Sequence, residues 1–173
     1  YGGSFNPAHH GHLHVSKEAL KRTGADQLWW LVSPQNPLKS ADELAPFEQR
    51  FDSALAMAQH PKIRISDYEQ QHQLTYSLDT IKELQARHPK THFFYVIGAD
   101  NFALFHRWQG WQEIIQRIPI AIFPRPRYSV KARHGLVAQR MRHLRVSERG
   151  FKNRIRQGQK GWTFMECRQN PLS

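Results

Sequence analysis

Gly2-Gly3-Ser4-Phe5-Asn6-Pro7-Ala8-His9-His10-Gly11-His12, directly after Tyr1, is the stretch from which the rest of this 173-residue chain is read. Tyr1 reads as the last residue of a strand, Gly2 to Pro7 as a turn-rich loop, and about His10 to Arg22 as a helix. Gly2 and Gly3 are expected to let backbone N–H groups come close to a ligand, and the helix N-terminus beyond them adds donors and the positive end of a dipole. An anion such as phosphate suits that place. His9 and His12 lie three residues apart, a spacing that brings both imidazoles to one side of the loop–helix junction, with Gly11 between them leaving room. No Gly-Lys-Ser/Thr closes the segment and no G-x-G-x-x-G occurs in it, which argues against a Walker kinase and against a dinucleotide-binding dehydrogenase. A metal site made of His9, His10, His12 and His14 is disfavoured, because no carboxylate or cysteine joins them.

Outward from this unit, strands and helices alternate. Gln27 to Ser33 (QLWWLVS) is an apolar run of strand length, broken by Pro34-Gln35-Asn36-Pro37, and a loop carrying Lys39 follows. Pro46 suits the first turn of a helix on which Phe47, Phe51, Leu55 and Ala58 recur at helical spacing. Ile63 and Ile65 alternate as in a short strand. Ser77 is placed as the cap of a helix burying Leu78, Ile81 and Leu84, so that Thr75-Tyr76 stand at its mouth. His92 to Ile97 reads as a buried strand ending at Gly98-Ala99-Asp100, and Ile118 to Phe123 as another after a helix from Trp111 to Gln116. This alternation predicts an α/β fold, a doubly wound parallel sheet of Rossmann-like form, with ligands gathering at the carboxyl ends of the strands. The loops at 2–9, 33–39 and 98–100 all follow strands.

Hydrophobic residues make up 39% of the chain and aromatics 12%, enough for one folded domain over 1–173. The chain is expected to be trimmed at both ends, since it starts without methionine inside its first strand. One cysteine, Cys167, excludes an internal disulfide, and no apolar run approaches membrane-spanning length; a cytoplasmic protein without a membrane partner is expected. The net charge of +11 favours polyanionic partners. From Arg125 to Lys160 the chain is densely basic, read as a solvated helix and loop or, alternatively, as an anion-attracting rim or an oligomer contact. Trp162 to Cys167 returns to strand character.

Gly3 to His12 resembles the G-S/T-F-x-P-x-H-x-G-H signature of the HxGH nucleotidyltransferase superfamily. Within it the chain resembles the bacterial nicotinate-nucleotide adenylyltransferases, from Tyr1 to about Phe123 and more loosely to Ser173. Ser33 to Lys39 stands where that family has a loop ending in lysine, Thr75-Tyr76-Ser77 resembles its T-Y-S/T segment, and Gly98-Ala99-Asp100 its G-x-D. Trp108 stands where the family carries an aromatic that stacks on the pyridine ring, with Trp111 the competing candidate.

The resemblance implies transfer of AMP from ATP to nicotinate mononucleotide by in-line attack, giving deamido-NAD and pyrophosphate in NAD biosynthesis. It implies that His9, His12 and Lys39 are catalytic, that Gly2, Gly3, Ser4, Phe5, Gly98 and Asp100 bind ATP and its phosphates, and that Thr75, Tyr76 and Trp108 bind the nicotinate nucleotide. Mg2+ would be held mainly through ATP phosphates, so no dedicated protein cage for a metal is expected. Capping the following helix is the structural alternative for Asp100, and a helix-entry turn that for Thr75 and Tyr76. Arg50 is open between reaching substrate phosphate and being solvated. One departure is visible: the family's late I/S-S-S/T-x-I/L-R signature is incomplete, with Pro171-Leu172-Ser173 in the place of its first residues. Two alternatives stand beside this reading: a basic nucleic-acid-binding module on a catalytically incomplete nucleotide fold, and the same chemistry on another acceptor such as phosphopantetheine. A homo-oligomer is left open.

Overall fold

The computed structural model describes residues 1–35 and 43–167. The strands β1 (Gly2–Gly3), β2 (Leu28–Val32) and β3 (Ile63–Ser66) form one parallel sheet, and β4 (Tyr95–Gly98), β5 (Ile120–Phe123) and β6 (Trp162–Phe164) form another. Register sets Gly2 against Leu31, Trp30 against Ile65 and Ile97 against Ile122. β1 and β4 lie side by side where the two sheets meet. Read across, the order is 3-2-1-4-5-6, and the winding reverses between β1 and β4, the point at which doubly wound proteins bind ligands. The expected parallel fold is therefore present, with its hydrogen-bonded ladder in two halves.

The helices are α1 (His10–Thr23), α2 (Phe47–Met57), α3 (Tyr68–Gln71), α4 (Ser77–Arg87), α5 (Ala99–Ala103), α6 (Trp111–Arg117), α7 (Ser129–His134), α8 (Leu136–Arg140) and α9 (Glu148–Arg156). Strands buried on both faces need apolar side chains at every position. In β5, Ile120 and Ile122 join the core under α4 to α8 with Leu78, Phe102, Ile114 and Trp162. Ala121 and Phe123 join the opposite core with Val15 and Ala19 of α1, Ala54 of α2 and Phe151 of α9. That alternation is why the sequence shows an unbroken apolar run there. Among the described residues no helix is long and apolar enough to cross a membrane.

Several boundaries differ from the sequence reading. The first strand holds Gly2 and Gly3 themselves, so the loop begins at Ser4. Pro46 is the residue before α2 rather than inside it, and Ala54, not the half-exposed Leu55, faces the core. Helical periodicity alone did not separate these two neighbours. Ser77 is the first residue of α4, with Tyr76 at the cap position and no side-chain cap. The strands β4 and β5 start later than read, at Tyr95 and Ile120, and the basic stretch folds into α7, α8, a 3-10 turn at Arg142–Leu144 and α9. Lys39 and Pro171-Leu172-Ser173 lie outside the described residues.

Candidate active site

A cavity of about 730 Å³ opens over the carboxyl ends of β1, β2, β4 and β5, at the place where the winding reverses. Gly2, Gly3, Ser4, Phe5, His9, His12, Thr75, Tyr76, Gly98, Asp100 and Trp108 all line it, so the described residues named from the sequence are brought together. A second cavity of about 660 Å³ at the opposite strand ends, bordered by Trp29, His92 and Phe94, contains none of them.

The two histidines are held by the start of α1. His9 is its N-cap, and its Nδ1 accepts from the Gly11 N–H at 3.1 Å. His12 closes the capping box, its Nδ1 accepting from the His9 N–H at 3.2 Å. The ring centroids are 3.9 Å apart. A ring nitrogen that accepts a hydrogen bond carries no proton, so each neutral ring keeps its proton on Nε2, the atom by which it can donate. Burial, with help from His9 and then Arg125, lowers the pKa of His12 to about 3. Burial, then Arg125 and His10, lowers that of His9 as well. The pair therefore presents neutral N–H donors rather than the two positive charges its composition suggests.

The loop corrects the reading of its glycines. Neither Gly2 nor Gly3 has a positive φ, whereas Phe5 does, at 47°. Gly2 is a glycine for space, because a Cβ there would collide with the Tyr95 hydroxyl. Left-handed backbone at a residue other than glycine costs about 1–3 kcal/mol and persists only where the surroundings hold it. Phe5 is 2% exposed with its ring stacked on Trp30 at 4.8 Å, so its side chain belongs to the core. Arg50 corrects the reading again: it is neither solvated nor reaching a substrate position, but 2% exposed and bonded to backbone carbonyls. Asn6 ties the loop outward, donating to the Glu43 carbonyl at 2.8 Å and accepting from the Ala45 N–H at 3.1 Å.

The facing wall is built differently. Asp100 lies in the first turn of α5 and does not cap it. Its Oδ1 is 3.6 Å from Arg125 Nε, an ion pair longer than a hydrogen bond, and both atoms are buried without a hydrogen-bond partner among the described residues. Gly98 is a glycine because a Cβ there would meet this pair. Trp108 is half-buried on the cavity, its ring 5.0 Å from Phe105 and 6.2 Å from Tyr95. Trp111 is 7% exposed in the core and does not line the cavity, whereas Trp108 does. Thr75 and Tyr76 stand at the uncapped start of α4. Beneath them Glu69 is buried and accepts from Ser33 Oγ at 2.9 Å and Thr80 Oγ1 at 3.0 Å. Burial pushes its carboxyl up, and these two hydroxyls partly oppose the shift.

Arg125, Glu69, Tyr95 and Asn6 were missed as cavity residues from sequence. For Arg125 a signal existed: Pro124-Arg125 directly follows a buried parallel strand, the position at which such folds place ligand-binding groups. Glu69 and Tyr95 carry no local signal, since only packing brings them to the cavity.

The family description "cytidylyltransferase-like" matches residues 1–169. A protein of Mesorhizobium japonicum named "Probable nicotinate-nucleotide adenylyltransferase" is 40% identical over 173 residues, covering 100% of this chain and 89% of that protein. One of the same name from Parvibaculum lavamentivorans is 47% identical over 143 residues, covering 83% of this chain and 71% of its own length. Among solved structures, the Plasmodium falciparum nicotinic acid mononucleotide adenylyltransferase complexed with NaAD superposes with a TM-score of 0.71 at 17% identity. That match covers 99% of this chain and 75% of the other, and at this identity it is a likeness of fold.

Proposed function

The chain belongs to the cytidylyltransferase-like family, and we propose that its cavity joins AMP from ATP to nicotinate mononucleotide, giving deamido-NAD and pyrophosphate in NAD biosynthesis. The observation that carries this reading is one cavity holding paired neutral imidazole donors on one wall and an uncapped helix start beside a half-buried indole on the other. The first wall suits polyphosphate. The second suits a flat aromatic ring bearing a carboxylate.

A phosphate oxygen of the mononucleotide attacks the α-phosphorus of ATP; the new P–O bond forms as the bond to the pyrophosphate oxygen breaks, with no covalent enzyme intermediate. The protein's work is then positioning and charge stabilisation. His9 and His12 donate from Nε2 to the ATP phosphates as charge gathers on the leaving group, and Lys39 supplies a cation. Gly2, Gly3, Ser4 and Phe5 present backbone to the phosphates, Phe5 only through its main chain, because its ring is buried. Asp100 accepts from ribose hydroxyls, with Gly98 leaving space for it, and Arg125 adds a cation beside it. Thr75 and Tyr76 offer N–H groups at the start of α4 to the nicotinate carboxylate, and Trp108 stacks on its ring.

The described residues contain no group of three His, Cys, Asp or Glu able to hold a metal ion. Asp100 is the carboxylate at hand for Mg2+ carried in on ATP, and the ion would neutralise phosphate charge there. Pyrophosphate release measured with ATP and nicotinate mononucleotide, nicotinamide mononucleotide or phosphopantetheine tests the assignment. Turnover with the nicotinate compound above the other two is expected, and release with none of the three overturns it.

A further inference from the structure

Arg50 sits on the second turn of α2, 2% exposed. Its four side-chain hydrogen bonds among the described residues all end on backbone carbonyls: Nη1 donates to Ser4 at 2.7 Å and to Ser33 at 2.8 Å, Nη2 to Pro34 at 3.0 Å, and Nε to Ala45 at 2.8 Å. A guanidinium buried without a carboxylate costs solvation that an apolar side chain of similar size would not. Fastening three loop segments accounts for the fork. The charge points to a second effect.

A cation that draws on a peptide carbonyl also makes the N–H of the same peptide a stronger donor, and in a trans peptide that N–H points the opposite way. The Ser4 carbonyl shares its peptide with the Phe5 N–H, and the Pro34 carbonyl with the Gln35 N–H. Neither N–H donates to a described group, and Phe5 and Gln35 both border the cavity. Phe5 is also the residue held at a φ of 47°. Its ring is pinned by Trp30 and the carbonyl before it by Arg50, so the strained backbone is held at both ends.

We infer that Arg50 is a positioning residue for ATP: it holds the Ser4–Phe5 and Pro34–Gln35 peptides with their N–H groups turned to the cavity and strengthens those donors, without touching substrate. The inference rests on the adenylyltransferase reading for the identity of the anion. It places Arg50 on the phosphate wall, so its loss acts on ATP and spares the mononucleotide.

The test uses Arg50→Lys, which keeps charge and loses the fork, and Arg50→Met, which keeps bulk and loses both. ATP binding is measured by calorimetry, KM for each substrate by pyrophosphate release, and folding by thermal melting. The expected result is a folded Arg50→Lys protein whose Kd and KM for ATP rise by about tenfold or more, with Arg50→Met worse, while the mononucleotide KM stays within about twofold. An ATP Kd within about twofold of wild type in either folded variant overturns the inference, as do parallel changes in both KM values. Should neither variant fold, amide spectra of the 15N-labelled wild-type protein decide: ATP must shift the Phe5 and Gln35 N–H resonances, and unmoved signals refute the role. ATP binding without turnover by the wild-type protein refutes the adenylyltransferase reading alone and leaves the binding measurements on Arg50 valid.

Discussion

The wall carrying His9 and His12 and the wall carrying Asp100, Arg125 and Trp108 use their polar groups in opposite ways. On the first, the Nδ1 atoms of both rings, the fork of Arg50 and the amide of Asn6 are committed inside the protein. What it offers a ligand is narrow and rigidly aimed. On the second, Asp100 Oδ1 and Arg125 Nε are buried and beyond hydrogen-bonding distance of each other, and α4 begins without a cap. Groups fixed in advance stabilise charge that develops during reaction at no cost of reorganisation, whereas buried groups whose bonds a ligand completes discriminate between ligands. Under the proposed function, the contrast would place rate on the first wall and selectivity on the second.

The sharpest way to break that division is His12→Ala. It is expected to lower kcat by about 100- to 1000-fold, the scale of one lost transition-state donor, with far-UV circular dichroism unchanged. Near-normal turnover would move the chemistry off this wall.

Next in size are Asp100→Ala and Arg125→Ala. Each leaves its partner without its counter-charge, and each is expected to raise a substrate KM by about 10- to 100-fold with a smaller change in kcat. The double variant should fall short of the two effects combined, since the groups share one interaction. Additive losses would show that Asp100 and Arg125 act separately.

Trp108→Ala and Trp111→Ala sharpen the second wall from within. Trp108→Ala should raise the KM for nicotinate mononucleotide by about tenfold with little change in Tm. Trp111→Ala should cost about 3–5 kcal/mol of stability, read as a lowered Tm, with the KM nearly kept. The reverse pattern would exchange their roles.

The smallest effect at neutral pH concerns the lowered pKa of His12. Above the ordinary histidine value of 6.5 it is neutral whether the chain is folded or unfolded, so its contribution to stability is complete there. As pH falls, the unfolded chain takes up a proton that the folded chain refuses until about pH 3. Stability should therefore drop across that window with an extra slope of about 1.4 kcal/mol per pH unit, absent in His12→Gln. Equal slopes in denaturant titrations of the two proteins would show that the ring is not held neutral by the fold.

Much of this was legible in the linear chain. Unbroken apolar runs such as Trp29 to Val32 and Tyr95 to Ile97 mark strands buried on both faces, and the spacing of His9 and His12 places them on one junction. Gly98-Ala99-Asp100 was read from its place at the end of a strand, whereas Trp108 was named only through the family resemblance; both border the cavity. The errors have physical causes. At Gly2 the reason for glycine is the Tyr95 hydroxyl, more than ninety residues away in sequence. At Arg50 a charged residue on a helix is ordinarily solvated, and the carbonyls of Ser4, Ser33, Pro34 and Ala45 make its burial tolerable.

By itself the sequence determined the alternation of strands and helices, the loop proposed to meet phosphate and the residue types of the proposed chemistry, because these follow from local periodicity, turn residues and short spacings. Only the tertiary structure decided that the histidines are neutral donors, that Asp100 faces Arg125, that Trp108 rather than Trp111 borders the cavity, and that a buried cation lies behind the loop after the first strand. Protonation state, burial and pairing are set by whichever groups the fold brings from distant segments into a low-dielectric interior, and distance along the chain carries no information about them.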